Sequence, residues 1–312
     1  MSARGGRRTL LCLLSVLGWA ASIWATPVSA TPVRVDGERL AVVASFSILA
    51  DMVREVGGDA VSVVSLVGPD GDPHVFEPSP QDVGRLQQAR VVVGNGLGFE
   101  NWLPRLVQSA QFRGVEILAT QGVRVRIQKG LHGRASPDPH AWQDIGNALI
   151  YVANIERGLI EADPAGAAGY RARAADYAAR LGALDARIRQ TFTGLPPAQR
   201  SVVVSHDAFG YYGDAYGLRF VAAHRAMAGV WPTARGMASL IERIRREGIS
   251  AVFVENIADP RLMVQLVRET GAVMGGRMYS DALPSGQGPA ASYIGMMEAN
   301  TATLIEALGS VP

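Results

Sequence analysis

Along the chain, short unbroken apolar runs alternate with stripes of apolar residues at helical spacing. Residues 40–44, 61–67, 91–93 and 115–118 are runs of the first kind, and their β-branched content predicts strands. Between them, residues 48–56 and 82–89 carry the helical period. Gly57-Gly58, Gly68-Pro69 and Gly94-Asn95-Gly96 mark the ends. The alternation resumes later, with strands over 201–204 and 251–254 and helices over 237–246, 261–270 and 293–308. Strands alternating with helices predict α/β architecture with parallel sheets.

The pattern changes between residues 164 and 192, where alanine and arginine dominate. Tyr170, Tyr177, Leu181, Leu184, Ile188 and Phe192 fall on one helical face, opened by Asp163-Pro164 and stopped by Gly194 and Pro196-Pro197. Such a helix can face a core and also act as a rigid strut between two lobes. The expected plan is two parallel-sheet α/β lobes, residues 31–163 and 195–312, joined by one long helix over 164–194.

Composition fits this plan. A chain of 312 residues suits two domains, and 48% hydrophobic against 19% charged residues supplies real cores and argues against disorder. The net charge of +2, without a lysine/arginine block after the leader, argues against a nucleic-acid partner. Arg4, Arg7 and Arg8, the apolar run 10–19 and the small residues Val28-Ser29-Ala30 form a signal-peptide pattern over residues 1–30. Cleavage is expected after Ala30, with Ala25 as the alternative. Cys12, the only cysteine, stands too early to be a lipid-attachment point. The mature chain then has no thiolate ligand, disulfide or cysteine nucleophile. Export to the periplasm without stable membrane insertion is the expectation.

Candidate chemistry lies in loops. His74 follows the run 61–67, His140 stands in Asp138-Pro139-His140-Ala141-Trp142, and His206 follows the run 201–204. Asp281 stands in Tyr279-Ser280-Asp281-Ala282-Leu283. In open α/β sheets ligands bind beyond the strand ends. Three imidazoles and one carboxylate suit a borderline cation such as zinc. Their spacing alone is weak support, because isolated loop histidines and aspartates commonly serve caps and turns. Asp72, Glu77, Asp138 and Asp207 flank the histidines and could orient their imidazole N–H groups, but read first as turn or cap residues. Glu255, after the run 251–254, is the reserve ligand or imidazole-orienting candidate, and Trp142 and Phe209 are expected to shield the site.

The surrounding segments carry more information. Gly68-Pro69-Asp70-Gly71-Asp72-Pro73-His74-Val75-Phe76-Glu77-Pro78, the stretch 92–103, Asp138–Trp142 as quoted, Ser205-His206-Asp207-Ala208-Phe209-Gly210 and the Asp281 segment occur in order. Together they resemble the zinc/manganese-specific (cluster A-I) solute-binding proteins of ABC metal importers. The resemblance covers the whole mature chain. It implies two α/β lobes joined by a rigid helix, with a metal in the cleft held by His74 and His140 from one lobe and His206 and Asp281 from the other. It implies a monomer without enzymatic activity that hands its ion to a permease and its ATPase. It also implies capture and release by local loop shifts rather than wide lobe closure. Histidine at the third ligand position favours zinc, with manganese or iron as the alternative.

The chain departs from that family in three places. Residues 129–136 hold one histidine, His132, where zinc members often carry a histidine-rich loop. Gln143-Asp144-Ile145 replaces a common Leu-Asp-Pro, and residues 229–235 replace a more acidic stretch; neighbouring His224 is not expected to be a ligand. A periplasmic zinc hydrolase is the rival from another class. It would need an open coordination position and a nearby general base, and no H-E-x-x-H or nucleophile elbow is present. An adhesin or structural surface protein is the third reading, which the 7% aromatic content disfavours.

Overall fold

The two sets of apolar runs form two separate parallel sheets in the computed structural model, which describes residues 39–129, 135–224 and 233–309. The signal segment with Cys12, His132, most of residues 229–235 and the side chain of His224 lie outside the described residues.

In the first sheet β1 (Leu40–Phe46), β2 (Val61–Val67), β3 (Val91–Gly94) and β4 (Val115–Leu118) lie in the order β2-β1-β3-β4. All neighbours are parallel, with Phe46 opposite Val67 and Ala44 opposite Val93. The central strands β1 and β3 are buried on both faces, which is why they read as unbroken apolar runs. Helices α1 (Ser47–Gly57), α2 (Pro80–Gln88), α3 (Leu103–Ser109) and α4 (Ile145–Ala162) complete this half, with a small antiparallel hairpin of β5 (Ile127–Lys129) and β6 (Ala135–Pro137). Helix α2 opens with a reciprocal cap between Ser79 and Asp82 and with Pro80 in its first turn, which fixes where the preceding loop ends.

The predicted strut is α5 (Ala167–Thr193), 27 residues and therefore about 40 Å long. Its buried residues are Tyr170, Ala174, Tyr177, Leu181, Leu184, Ile188 and Phe192, the stripe expected from the sequence with one alanine added. It packs against α1 and α4, and against the C-terminal helix α9 described below.

The second sheet follows. Strands β7 (Ser201–His206), β8 (Arg219–His224), β9 (Ala251–Glu255) and β10 (Val273–Met278) lie in the order β10-β9-β7-β8, again all parallel. Counted from its first strand, each sheet runs second, first, third, fourth, so the lobes share one topology. Helices α6 (Gly210–Tyr216), α7 (Ala234–Glu247), α8 (Arg261–Thr270) and α9 (Tyr293–Gly309) surround it. No helix among the described residues is long and apolar enough to cross a membrane.

Several elements were not read from the sequence. Helix α4 buries one face, with Ile145, Ala148, Tyr151, Val152, Ile155 and Leu159, but Leu149, Ile150 and Ile160 on its less buried side are apolar too, which hides the period of 3.6. Edge strands β8 and β10 carry Arg219 and Gly275-Gly276-Arg277 and so lack a clean apolar run.

Candidate metal centre

His206 is the last residue of β7, and Glu255 is the last residue of the adjacent strand β9. The order of strands reverses between these two, so the pair stands where an open parallel sheet presents a ligand crevice. The backbone N–H of His206 donates to Glu255 Oε1 at 2.9 Å, and its Nδ1 lies 2.5 Å from Glu255 Oε2. Glu255 is therefore committed to orienting the imidazole, which leaves His206 Nε2 facing the cleft. Burial opposes a charge on His206, but Glu255 and Asp281 beside it hold its pKa well above the ordinary imidazole value.

His140 is held in the same way by different elements. Asp138, wholly buried, accepts from His140 N–H at 3.1 Å and sits 2.8 Å from His140 Nδ1. The segment is moored to the end of β3, where Asn95 Nδ2 donates to the carbonyl of Pro139 at 2.9 Å. Asn95 is in turn fixed by Tyr151 on α4 and, through its N–H, by buried Glu100. A carboxylate on each Nδ1 sets the tautomer and directs the Nε2 lone pair into the cleft.

The other two residues arrive on loops. His74 follows β2 by seven positions; its N–H donates to Asp72 Oδ1 at 2.8 Å, and Trp102 Nε1 donates to the carbonyl of Pro73 at 2.9 Å. Burial, then the negative charge of Asp281, pushes the Asp72 carboxyl up. Asp281 follows β10, in a loop tied to α9 by Asn300, which bonds both N–H and C=O of Tyr279 at 2.8 Å. The carbonyl of Ser280 accepts from Trp142 Nε1 and from Gln143 Nε2, both on the turn after His140. Burial works against the Asp281 charge, yet His206 and His140 hold its pKa well below the ordinary carboxylate value.

The four expected residues therefore come together. One donor atom from each of His74, His140, His206 and Asp281 lies within 4.8 Å of all the others. His74 Nε2 is 3.3 Å from His140 Nε2 and 3.2 Å from Asp281 Oδ2, and His206 Nε2 is 3.0 Å from Asp281 Oδ2. Asp281 Oδ1 is buried, accepts no hydrogen bond among the described residues, and lies 3.7 Å from His140 Nε2. Tetrahedral bonds of about 2.0–2.2 Å require donors about 3.3–3.6 Å apart; the separations of 3.0–3.7 Å lie near that range, while the full set spreads to 4.8 Å.

Other expectations need adjustment. Asp138 does more than cap a turn, since it grips the ring of His140. Glu77 is exposed. Trp142 does wall the site, at 5.4 Å from His140, but buried Phe209 stacks on Phe220 at 5.2 Å inside the second lobe. The aromatic ring packed on ligands is Phe99, 4.8 Å from His74 and 5.9 Å from His140. Nothing in the sequence around Phe99 marks it, because its contacts are made only when the loop after β3 meets the His74 loop.

Comparison with known proteins agrees with this geometry. The family model for ZnuA, the periplasmic zinc-uptake complex component A, matches residues 42–307. The chain is 34% identical over 275 residues to the manganese-binding lipoprotein MntA of Halalkalibacterium halodurans, covering 88% of this chain and 90% of that one. It is 31% identical over 272 residues to the iron-binding protein YfeA of Yersinia pestis, covering 87% of each. The periplasmic zinc binding protein TroA from Treponema pallidum superposes with a TM-score of 0.81 at 26% identity, over 87% of this chain and 99% of that one. These relatives are binding proteins, not enzymes. The chain belongs to the ZnuA family, the periplasmic metal-binding components of ABC metal importers.

Proposed function

We propose that this chain captures one divalent transition-metal ion between His74, His140, His206 and Asp281, with zinc as its cargo. On this reading the protein acts as a monomer of two lobes, residues 31–163 and 195–312, with the helix 164–194 between them. It delivers the ion to an importer permease and its ATPase. The observation that supports it is the convergence of three imidazole nitrogens and one carboxylate within 4.8 Å on segments from both halves of the chain. Three neutral nitrogen donors and a single carboxylate favour zinc over harder cations. The carboxylates on His140 and His206 raise the basicity of those donors, as in other metal sites.

Manganese is the second reading, favoured by the 34% identity to a relative named as manganese-binding. Asp281 supports it too, because Oδ1 is buried beside Oδ2 and can widen the shell. Titration of metal-free protein with each cation, followed by direct competition, separates the two. One zinc ion per chain, retained against equimolar manganese, is the expected result. Manganese retained against zinc would reassign the cargo, and uptake of neither would end the proposal.

A further inference from the structure

Besides the bonds of Trp142 and Gln143 to Ser280, two further ties cross between the halves of the chain beside the four converging residues. The first centres on Asp70, in the loop that carries His74. Its N–H donates to the carbonyl of Leu283, and its carboxylate accepts from Ser285 N–H, Ser285 Oγ and Asn256 Nδ2. This tie binds the His74 loop to the Asp281 loop.

The second tie centres on Arg126, which precedes the β5–β6 hairpin and has no place in the coordination set. Its Nη1 donates to Asp138 Oδ2 at 3.0 Å, while the other oxygen of Asp138 holds His140 Nδ1. Its Nε donates to Asp214 Oδ2 at 3.0 Å, on α6, the helix that begins four residues after His206. The backbone N–H of Arg126 donates to the hydroxyl of Tyr211, also on α6, at 2.7 Å. The carbonyl of Arg126 accepts from Asp138 N–H at 2.8 Å. One residue thus grips the carboxylate behind one ligand and the helix behind another.

Gly210 shows how closely this contact is built. A methyl group there would sit 2.2 Å from Arg126 Nη1 and 2.4 Å from Cζ. The start of α6 can seat the guanidinium only because position 210 has no side chain. The buried side of the grip is the stronger, because Asp138 is wholly enclosed and its charge is met there by a guanidinium N–H, a charge-assisted hydrogen bond. The outer side is weak, because Asp214 is 70% exposed.

We propose that Arg126 is a positioning residue that locks the ion in place. It couples the orientation of His140, through Asp138, to the helix that follows His206. An ion then leaves only when the guanidinium releases Asp214 or Asp138, and the exposed Asp214 contact is the one that opens first. This inference rests on the four-ligand reading.

The test is the rate at which zinc-loaded full-length protein loses its ion to an excess of chelator, with association rate and metal-free melting temperature measured alongside. Arg126→Gln is expected to speed release about tenfold or more, the scale of a charge-assisted hydrogen bond. Arg126→Lys falls between, because an ammonium reaches only one of the two carboxylates. Gly210→Ala speeds release with every charge retained, by displacing the guanidinium. Asp214→Asn leaves Asp138 paired and is expected to give about two- to fivefold faster release at an unchanged melting temperature. Wild-type release rates in Asp214→Asn and Gly210→Ala would overturn the proposal, even if Arg126→Gln released faster while melting lower. A wild-type protein that takes up no zinc would instead remove the coordination reading beneath it.

Discussion

The two lobes share a strand order but load the site differently. In the second lobe the strands at the reversal point, β7 and β9, end directly in His206 and Glu255, so ligand and supporting carboxylate are strand residues. The equivalent strands of the first lobe, β1 and β3, end at Phe46 and Gly94. They supply scaffolding, with Ser45 and Asn95 gathered on Glu100, and His74 and His140 come from loops. The side chain of His206 is 3% exposed and that of His74 is 14% exposed. In the second half His206 is thus part of the sheet, whereas Asp281 beside it and His74 in the first half arrive on loops, and His140 is buried on Asp138. His74 is the most exposed of the four side chains.

The sharpest way to break the comparison is to remove one ligand from each half. His206→Ala strands the buried carboxylates of Glu255 and Asp281 against each other, so zinc affinity is expected to fall by about a thousandfold or more and the metal-free protein to lose stability. His74→Ala strands no buried carboxylate and should weaken affinity by about a hundredfold at near-normal stability. Calorimetric titration and thermal melts on both variants check this. Equal losses in the two would erase the distinction between the strand-borne His206 and the loop-borne His74.

The frame that joins the lobes can be tested separately from the site. Asp51 on α1 accepts the first N–H of α9, from Tyr293, at 2.8 Å. Burial raises its pKa to about 6, partly offset by that hydrogen bond. Because the folded protein holds this proton more tightly than the unfolded chain, the contribution to stability is full below about pH 4 and is lost as pH rises through about 6. Asp51→Asn keeps an acceptor for Tyr293 and removes the charge. It should stabilise the protein at pH 7.5 by on the order of 2 kcal/mol, an advantage that vanishes near pH 4, with zinc affinity at pH 7.5 unchanged. Melting curves across that range decide it, and a lost affinity would mean that frame and site are not separable.

Smaller effects sharpen the picture. Glu255→Gln keeps an acceptor for His206 N–H but weakens the hold on Nδ1, and about a tenfold loss of zinc affinity is expected in competition assays. Trp102→Phe deletes the indole N–H that secures Pro73, and release to chelator should quicken by only a few-fold. A Trp102→Phe variant as impaired as Glu255→Gln would show that the His74 loop is as firmly built as the β7 end.

Much of this was legible before folding was considered. The apolar runs located the strands of both sheets that are buried on two faces, and the stripe on α5 was readable because only one face of that helix is covered. The family segments named the same four side chains that converge. Helix α4 was not legible, since the apolar Leu149, Ile150 and Ile160 on its less buried side mask its period. Phe99 and Arg126 were not legible either, because each acts on partners 12 to 88 positions away in the chain.

Local pattern and composition alone therefore determined the alternating α/β plan, the long helix and the dependence on imidazole and carboxylate donors. Those properties follow from periodicity and residue type, which need no partner. Only the tertiary structure decided which buried carboxylate meets the Nε2 atoms in the cleft and which lie on an imidazole Nδ1. Asp281, Asp138 and Glu255 are all buried acids, and their roles differ only in what the packing of two lobes places within 3 Å of each oxygen.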